Sequence, residues 1–205
     1  KFTEQNFKAL TADLSEIEYQ EPLDYSKKQR RLIEHVRTYY RPDDLGKSAN
    51  DPNTLLPLGG LQPKALPGET YTLAFTPGLA KKIYVDSGKV SQPELNTLLA
   101  NEGGYVHTEG DDHWWIPSGR PFCSPDRNHS PAQEFDEAAG HFFLPRRYRD
   151  PFRSNSFVNY DRYDLLVLET RDALNNRVTA GEREHVLPDG SKLPEKGGID
   201  YRVLQ

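Results

Sequence analysis

This 205-residue sequence is short of several things that most self-sufficient folds rely on. It has no Met and one Cys. Leu, Ile, Val and Phe fill 46 of its positions, close to the ~20% level below which strongly charged chains stay disordered. Each shortage excludes something. A lone Cys123 rules out an internal disulfide and a cysteine-built zinc cage, and it reads as a small buried thiol rather than a nucleophile. No apolar run exceeds four or five residues, Leu165-Leu166-Val167-Leu168 being typical. A membrane-spanning helix needs about 20, so no direct membrane span is expected. No charged-then-apolar leader precedes a small-residue cleavage site, so no signal peptide is visible. Charge of one sign is lacking too: 26 basic and 31 acidic residues give a net −5, spread along the chain, and no nucleic-acid surface stands out. The densest basic run, Lys27-Lys28-Gln29-Arg30-Arg31, reads as the solvated side of a helix. No Gly-rich loop with Lys-Ser/Thr is present, and neither Ser118-Gly119 nor Ser154 has a nucleophile elbow. Disorder is excluded in turn by the 11% aromatic content and the modest net charge. The chain should therefore fold around a thin core. With no Met, a start at Lys1 and a strand-like end at Tyr201–Gln205, it is expected to be a segment of a longer protein.

What is present reads as a mainly β chain with several short α-helices, an α+β class. Phe7, Leu10 and Leu14 have helical spacing. Leu32, Ile33, Val36, Tyr39 and Tyr40 form one stripe that predicts a helix of about 15 residues, stopped by Pro42. Residues 42–69 hold enough Pro and Gly to be a loop. Thr70–Phe75 alternates with period two and predicts a strand. Thr76-Pro77 opens a short helix. Ser91 and Glu94 have the capping-box spacing, in which each side chain satisfies the other's backbone N–H. Leu95, Leu98 and Leu99 follow on one face, and Gly103-Gly104 closes that helix. Tyr105–His107 and His113–Pro117 predict a hairpin across a polar Glu109–Asp112 turn. Ser130-Pro131 is a second capped helix start, with Phe135, Ala138 and Phe142 on one face and Pro145 as the stop.

The texture changes at Tyr148. Arg149-Asp150-Pro151-Phe152 starts a unit rich in β-prone residues, and Arg171-Asp172-Ala173-Leu174-Asn175-Asn176 restarts it 22 residues after Asp150. An Asp at a turn entry bonds backbone N–H groups two residues on, and Asn tolerates the left-handed conformation. A hairpin ribbon follows, with tyrosine rings supplying cross-strand contacts. On this basis the chain divides into residues 1–147, a region of helices and hairpins, and 148–205, a repeat-like hairpin region.

Tyr160-Asp161, Asp164-Leu165-Leu166 and Arg171-Asp172-Ala173-Leu174-Asn175-Asn176-Arg177-Val178-Thr179 resemble the RHS/YD repeat. Further words carry the resemblance upstream and downstream, among them Arg31–Tyr40, Leu73–Leu79, Glu102–Val106, His113–Arg120, His141–Pro145 and Asp200–Gln205. In this order they resemble the region preceding the RHS array in B components of Tc insecticidal toxin complexes and their SpvB-like relatives. The resemblance implies antiparallel strands forming part of a hollow cocoon wall. With a C-component-like RHS protein, the parent protein would enclose a toxic polypeptide before translocation, in a secreted, extracellular complex. Its structural residues would be Tyr160, Asp161, Tyr163, Leu166, Leu168, Asp172, Leu174, Asn176 and Val178, with Phe157 beside them. Asn175-Asn176 stands where the repeat usually has Gly-Asn, and Arg153 where Gly is common, so those turns are expected to be strained or less regular. The self-cleaving protease and ADP-ribosyltransferase regions of the family are not matched, no catalytic residue transfers, and no enzyme activity or cofactor is expected.

Sharper sites compete with this structural reading. His107, Asp111, Asp112 and His113 put four potential metal ligands within seven residues, yet an exposed polar turn explains them as simply, and a metal centre needs three or four convergent ligands. Trp114 and Trp115 are candidates for glycan or partner contact, although neighbours on a strand point to opposite faces. Glu94, Glu102, Asp136 and Glu137 lack a paired acid–base signature. His35 reads as a packing residue with a conceivable pH-sensing role. An aromatic binding module is the alternative to a shell segment. As a wall panel, the chain should show exposed apolar edges when seen alone.

Overall fold

The structure is a computed structural model that describes residues 6, 9, 10, 12–182, 184–193 and 196–199. The Phe7 turn of the expected first helix and the closing Asp200–Gln205 segment lie outside the described residues. The chain forms two compact units, residues 1–37 with 70–117, and residues 38–69 with 118–205. It is mainly β in antiparallel sheets, with three short α-helices among the described residues, in keeping with the α+β class.

In the first unit, β1 (Ser15–Ile17) pairs in parallel with β2 (Gln29–Arg31). The helix of about 15 residues expected to carry the Leu32–Tyr40 stripe is absent. Arg31 closes β2, a short irregular stretch follows, and β3 (Val36–Tyr40) begins at the end of this unit's first segment. Ile33, Val36, Thr38, Tyr39 and Tyr40 are β-branched or aromatic, types that suit a pleated surface better than a helix. The basic run Lys27–Arg31 lies in a turn and β2 rather than on a helix. Strand β4 (Pro67–Phe75) pairs with β5 (Trp114–Pro117), Leu73 opposite Trp115, with a bulge before Phe75. The Leu73 N–H donates to the His35 carbonyl at 2.9 Å.

Capping sets the helices here as their sequence implies. Thr76 Oγ1 accepts from the Leu79 N–H and Pro77 opens α1 (Pro77–Ala80). Ser91 and Glu94 form the capping box of α2 (Gln92–Thr97). Both helices run on into π-helical turns, Lys81–Val85 and Leu98–Glu102, in which the Asp86 N–H reaches the Lys81 carbonyl and the Gly103 N–H the Leu98 carbonyl. Ala80, Leu95, Leu99 and Trp114 make this unit's core, with Phe75, Tyr84 and Tyr105 against it. Leu98 faces outward, away from that face.

In the second unit, α3 (Pro131–Gly140) carries a full Ser130–Gln133 capping box. It ends five residues before Pro145. Phe142 consequently leaves the expected helical face and is exposed, and Phe143 packs edge-on to Phe135 instead. Ala138 joins Leu45, Leu66 and Cys123 in a small core. Leu45 reaches it with a left-handed backbone, φ 57°.

This unit also holds the strands β6 (Arg120–Phe122), β7 (Arg147–Arg149), β8 (Asn155–Tyr160), β9 (Val167–Arg171) and β10 (Arg177–Thr179). They form a five-stranded antiparallel sheet in the order β10-β9-β8-β7-β6. From β7 to β10 it is a meander, each turn entered by an aspartate. Short pairs β11 (Gly181–Glu182) with β14 (Lys196–Gly197) and β12 (His185–Val186) with β13 (Lys192–Leu193) complete the described strands.

Candidate functional site

The aspartate turns repeat at 11-residue spacing, half the period visible in the sequence. Asp150, Asp161 and Asp172 each receive a bond from the residue three positions on to their own carbonyl, at 3.0, 3.0 and 3.1 Å. That third residue is left-handed every time: Arg153 at φ 70°, Asp164 at 57° and Asn175 at 67°. The aspartate Oδ1 then accepts the next N–H, from Ser154 at 2.7 Å, Leu165 at 2.7 Å and Asn176 at 2.8 Å. A type I turn followed by a left-handed residue is a standard three-residue hairpin connection. The 161 turn holds one residue more, the Asp161 N–H closing on Leu166 where the others close on Ser154 and Asn176. Asn176 Nδ2 adds a bond to Asp172 Oδ2, which with the turn's N–H groups holds the Asp172 carboxyl below its ordinary pKa. The expected irregularity at Arg153 and Asn175 thus appears as a left-handed backbone on non-glycine residues, a conformation L side chains disfavour.

Other expected repeat residues are distributed around this frame. Tyr160 Oη donates to the Pro145 carbonyl at 3.1 Å. Phe157 lies under the Arg171 guanidinium at 4.6 Å. Leu166 and Leu168 are half-buried, and Tyr163 is exposed. Leu174 and Val178 remain 82% and 72% exposed, an uncovered apolar edge.

The second cluster surrounds Trp115 in the first unit. Strand alternation sends Trp114 into the core and Trp115 to the opposite face, where it is fully buried. The Trp115 indole N–H donates to Asp111 Oδ1 at 3.0 Å, as does the His113 backbone N–H. Arg37 donates to Asp111 Oδ2 at 2.6 Å and stacks on the indole at 4.1 Å. It also bonds Thr108 Oγ1 and the Glu109 carbonyl. His35 meets the ring edge-on at 5.0 Å. Burial alone would raise the Asp111 pKa, but the donors from Trp115, His113 and Arg37 together hold it below its ordinary value.

This arrangement accounts for the metal candidates one by one. Asp111 is engaged by three donors, His107 Nδ1 meets the His113 carbonyl at 2.9 Å, and Asp112 is exposed. Among the described residues no three His, Cys, Asp or Glu side chains converge. The aromatic platform is closed as well. Trp114 and Trp115 are both buried, so neither offers a ring face to a sugar or a partner; packing on the two sides of β5 uses them. Beside this cluster, Glu16, Glu18, Leu32, Ile33, Leu79 and His113 line an open cavity of about 580 Å³.

The third cluster, in the second unit, centres on Phe122 and had no local sequence signal. Arg41, Arg147 and Arg149 place their guanidinium carbons 5.3, 4.0 and 5.0 Å from the ring centroid. Arg41 is only 2% exposed and forms a two-pronged pair with Glu134, at 2.8 and 2.9 Å. Glu134 Oε1 also accepts the Cys123 N–H at 2.8 Å. Burial first, and the Glu134 charge second, push the Cys123 thiol up to about 12. It is an unreactive thiol at neutral pH. Ser124, His129 and Asp126 bring the residue types of a nucleophile triad together, with Ser124 Oγ 2.8 Å from His129 Nδ1. Ser124 is fully buried, however, and its hydroxyl accepts the Asp126 N–H at 3.1 Å. That is a serine turn, closed to substrate.

With the geometry in view, comparison with known proteins gives one kind of match. No family model matches the chain, and no curated protein does. Solved structures similar to it are Tc toxin components. One is a mutant Tc holotoxin pore of Photorhabdus luminescens, at 18% identity and a TM-score of 0.49, covering 85% of this chain and 7% of that one. The TcdB2–TccC3 complex follows at 16% identity and 0.39, covering 86% and 9%. The same complex without its hypervariable C-terminal region has 18% identity and 0.39, covering 75% and 7%. The chain spans less than a tenth of each of their lengths. Among the described residues no helix is long and apolar enough to cross a membrane.

Proposed function

We propose that this chain is a wall segment of a β-sheet shell in a secreted Tc-type toxin complex, acting by closure and burial rather than by bond chemistry. It would pair with the remainder of its parent shell protein and with a C-component-like RHS protein, and shield an enclosed toxin polypeptide before translocation. The observation that carries this reading is the meander β7–β10, whose aspartate turns recur every 11 residues while Leu174 and Val178 are left uncovered. A sheet of this kind buries little by itself and gains its missing contacts from the next panel. The thin composition and the ordered words of the sequence support the same reading.

The test uses the parent particle assembled with and without this segment and exposed to added protease. The segment-free particle should lose its cargo to cleavage. Cargo that stays intact without the segment would sink the proposal.

A further inference from the structure

The Phe122 cluster carries more positive charge than its carboxylates balance. Arg41 is paired with Glu134, and Arg120 donates to Glu69 at 2.8 Å. Arg147 has only neutral acceptors, the Ser124 carbonyl and Asn155 Oδ1, both at 3.2 Å. Arg149 donates to Asn53 Oδ1 at 2.8 Å. Yet Arg147 is only 6% exposed. A charge so buried is costly unless a counter-charge lies close.

Both side chains line a small cavity of about 50 Å³, together with Phe122, Ser124, Arg127 and His129. A single water needs roughly 10–15 Å³ of such space, so the cavity has room for a group the size of phosphate or carboxylate. Two carboxylates also face it. Glu134 is committed to Arg41 and the Cys123 N–H. Asp126 is exposed and caps the Asn128 N–H at 2.8 Å. Arg127, Arg147 and Arg149 therefore outnumber the one remaining carboxylate. Planar guanidinium forks are well matched to oxyanions.

From this geometry we propose that the cavity binds a small oxyanion, held by Arg147 and Arg149 at its base and Arg127 at its mouth. The anion can come from two sources, a phosphate group or a carboxylate, and the two present the same forked acceptor to the guanidiniums. The proposal does not depend on the shell reading.

The test titrates the 205-residue chain with inorganic phosphate and, separately, with acetate, each against chloride at matched ionic strength. Backbone amide shifts and thermal midpoint are followed. Saturable binding is expected, at least tenfold weaker in Arg127→Ala and Arg149→Ala and unchanged in Arg162→Ala, a control on an exposed turn arginine. Arg127→Ala removes an exposed side chain and so keeps the result readable if Arg149→Ala does not fold. Saturation by phosphate alone assigns the site to phosphate groups, and saturation by acetate alone assigns it to carboxylates. No saturation by either, or equal affinity in all three variants, overturns the proposal.

Discussion

Trp115 in the first unit and Phe122 in the second are both sealed from solvent, and both lie against arginine. They differ in how that buried cation is balanced. The indole brings its own donor, so one carboxylate four residues away, Asp111, binds ring, backbone and Arg37 together. A phenyl ring has no donor. Its carboxylate has to come from another element, and Glu134 arrives from helix α3, 93 positions beyond Arg41. Two further arginines on Phe122 are then left with neutral partners. The lesson is that an arginine–aromatic stack is electrically complete when ring and cation share one acceptor. When they do not, surplus charge collects around the ring.

The strongest way to break this comparison is to remove Glu134. Glu134→Ala leaves Arg41 charged and buried, and breaking such a pair from one side costs about 3–5 kcal/mol. Urea unfolding followed by circular dichroism should show that loss; a change below about 1 kcal/mol would mean the pair does not hold the second unit together. Asp111→Ala in the first unit should cost about 2–3 kcal/mol, since several donors lose one acceptor. Both tryptophans belong to that unit, so fluorescence reports it directly. Trp115→Phe sharpens the contrast by making the first ring like the second. It should lose about 1 kcal/mol while the Arg37–Asp111 pair survives, as a retained Arg37 side-chain shift would show.

The turns of the second unit form the next level. Asp161 is buried and accepts from Tyr163, Leu165 and Leu166. Asp161→Ala should cost about 1–3 kcal/mol, and the more exposed Asp172→Ala less. Arg153→Gly relieves a left-handed backbone and should stabilise by about 1 kcal/mol, whereas Asn175→Gly should gain only a few tenths, because Asn tolerates that region. Equal gains would mean that backbone strain is not what separates these turns.

The smallest effect concerns pH in the first unit. Burial, and then the Arg37 charge, lower the His35 pKa from its ordinary 6.5. As pH falls below that value the unfolded chain takes up a proton that the folded one resists, so stability declines. His35→Gln should flatten the stability curve between pH 7 and pH 5. An unchanged slope would place the titration elsewhere.

Local chemistry was readable from the sequence and distant chemistry was not. Thr76-Pro77, Ser91 with Glu94, and Ser130 with Gln133 declare their helix starts because cap and partner lie within three residues. Asp150 and Asp172 declare their turns for the same reason. The turn at Asp161 was hidden because its loop is one residue longer than the other two, which breaks the spacing they share. The stripe Leu32–Tyr40 fits helical spacing, yet β pairing with β4 decided the matter. The Arg41–Glu134 pair has no local mark at all, since its two halves meet only once strands and helix are in place.

One property of the aspartate turns concerns dimensions. Neighbouring strands lie about 4.8 Å apart, so the 22 residues from Asp150 to Asp172 widen the sheet by about 10 Å. Each aspartate turn reverses the chain and so sets one more strand beside the last, whatever that strand's length, from three residues in β7 to six in β8. The breadth of the surface therefore becomes a count of aspartates.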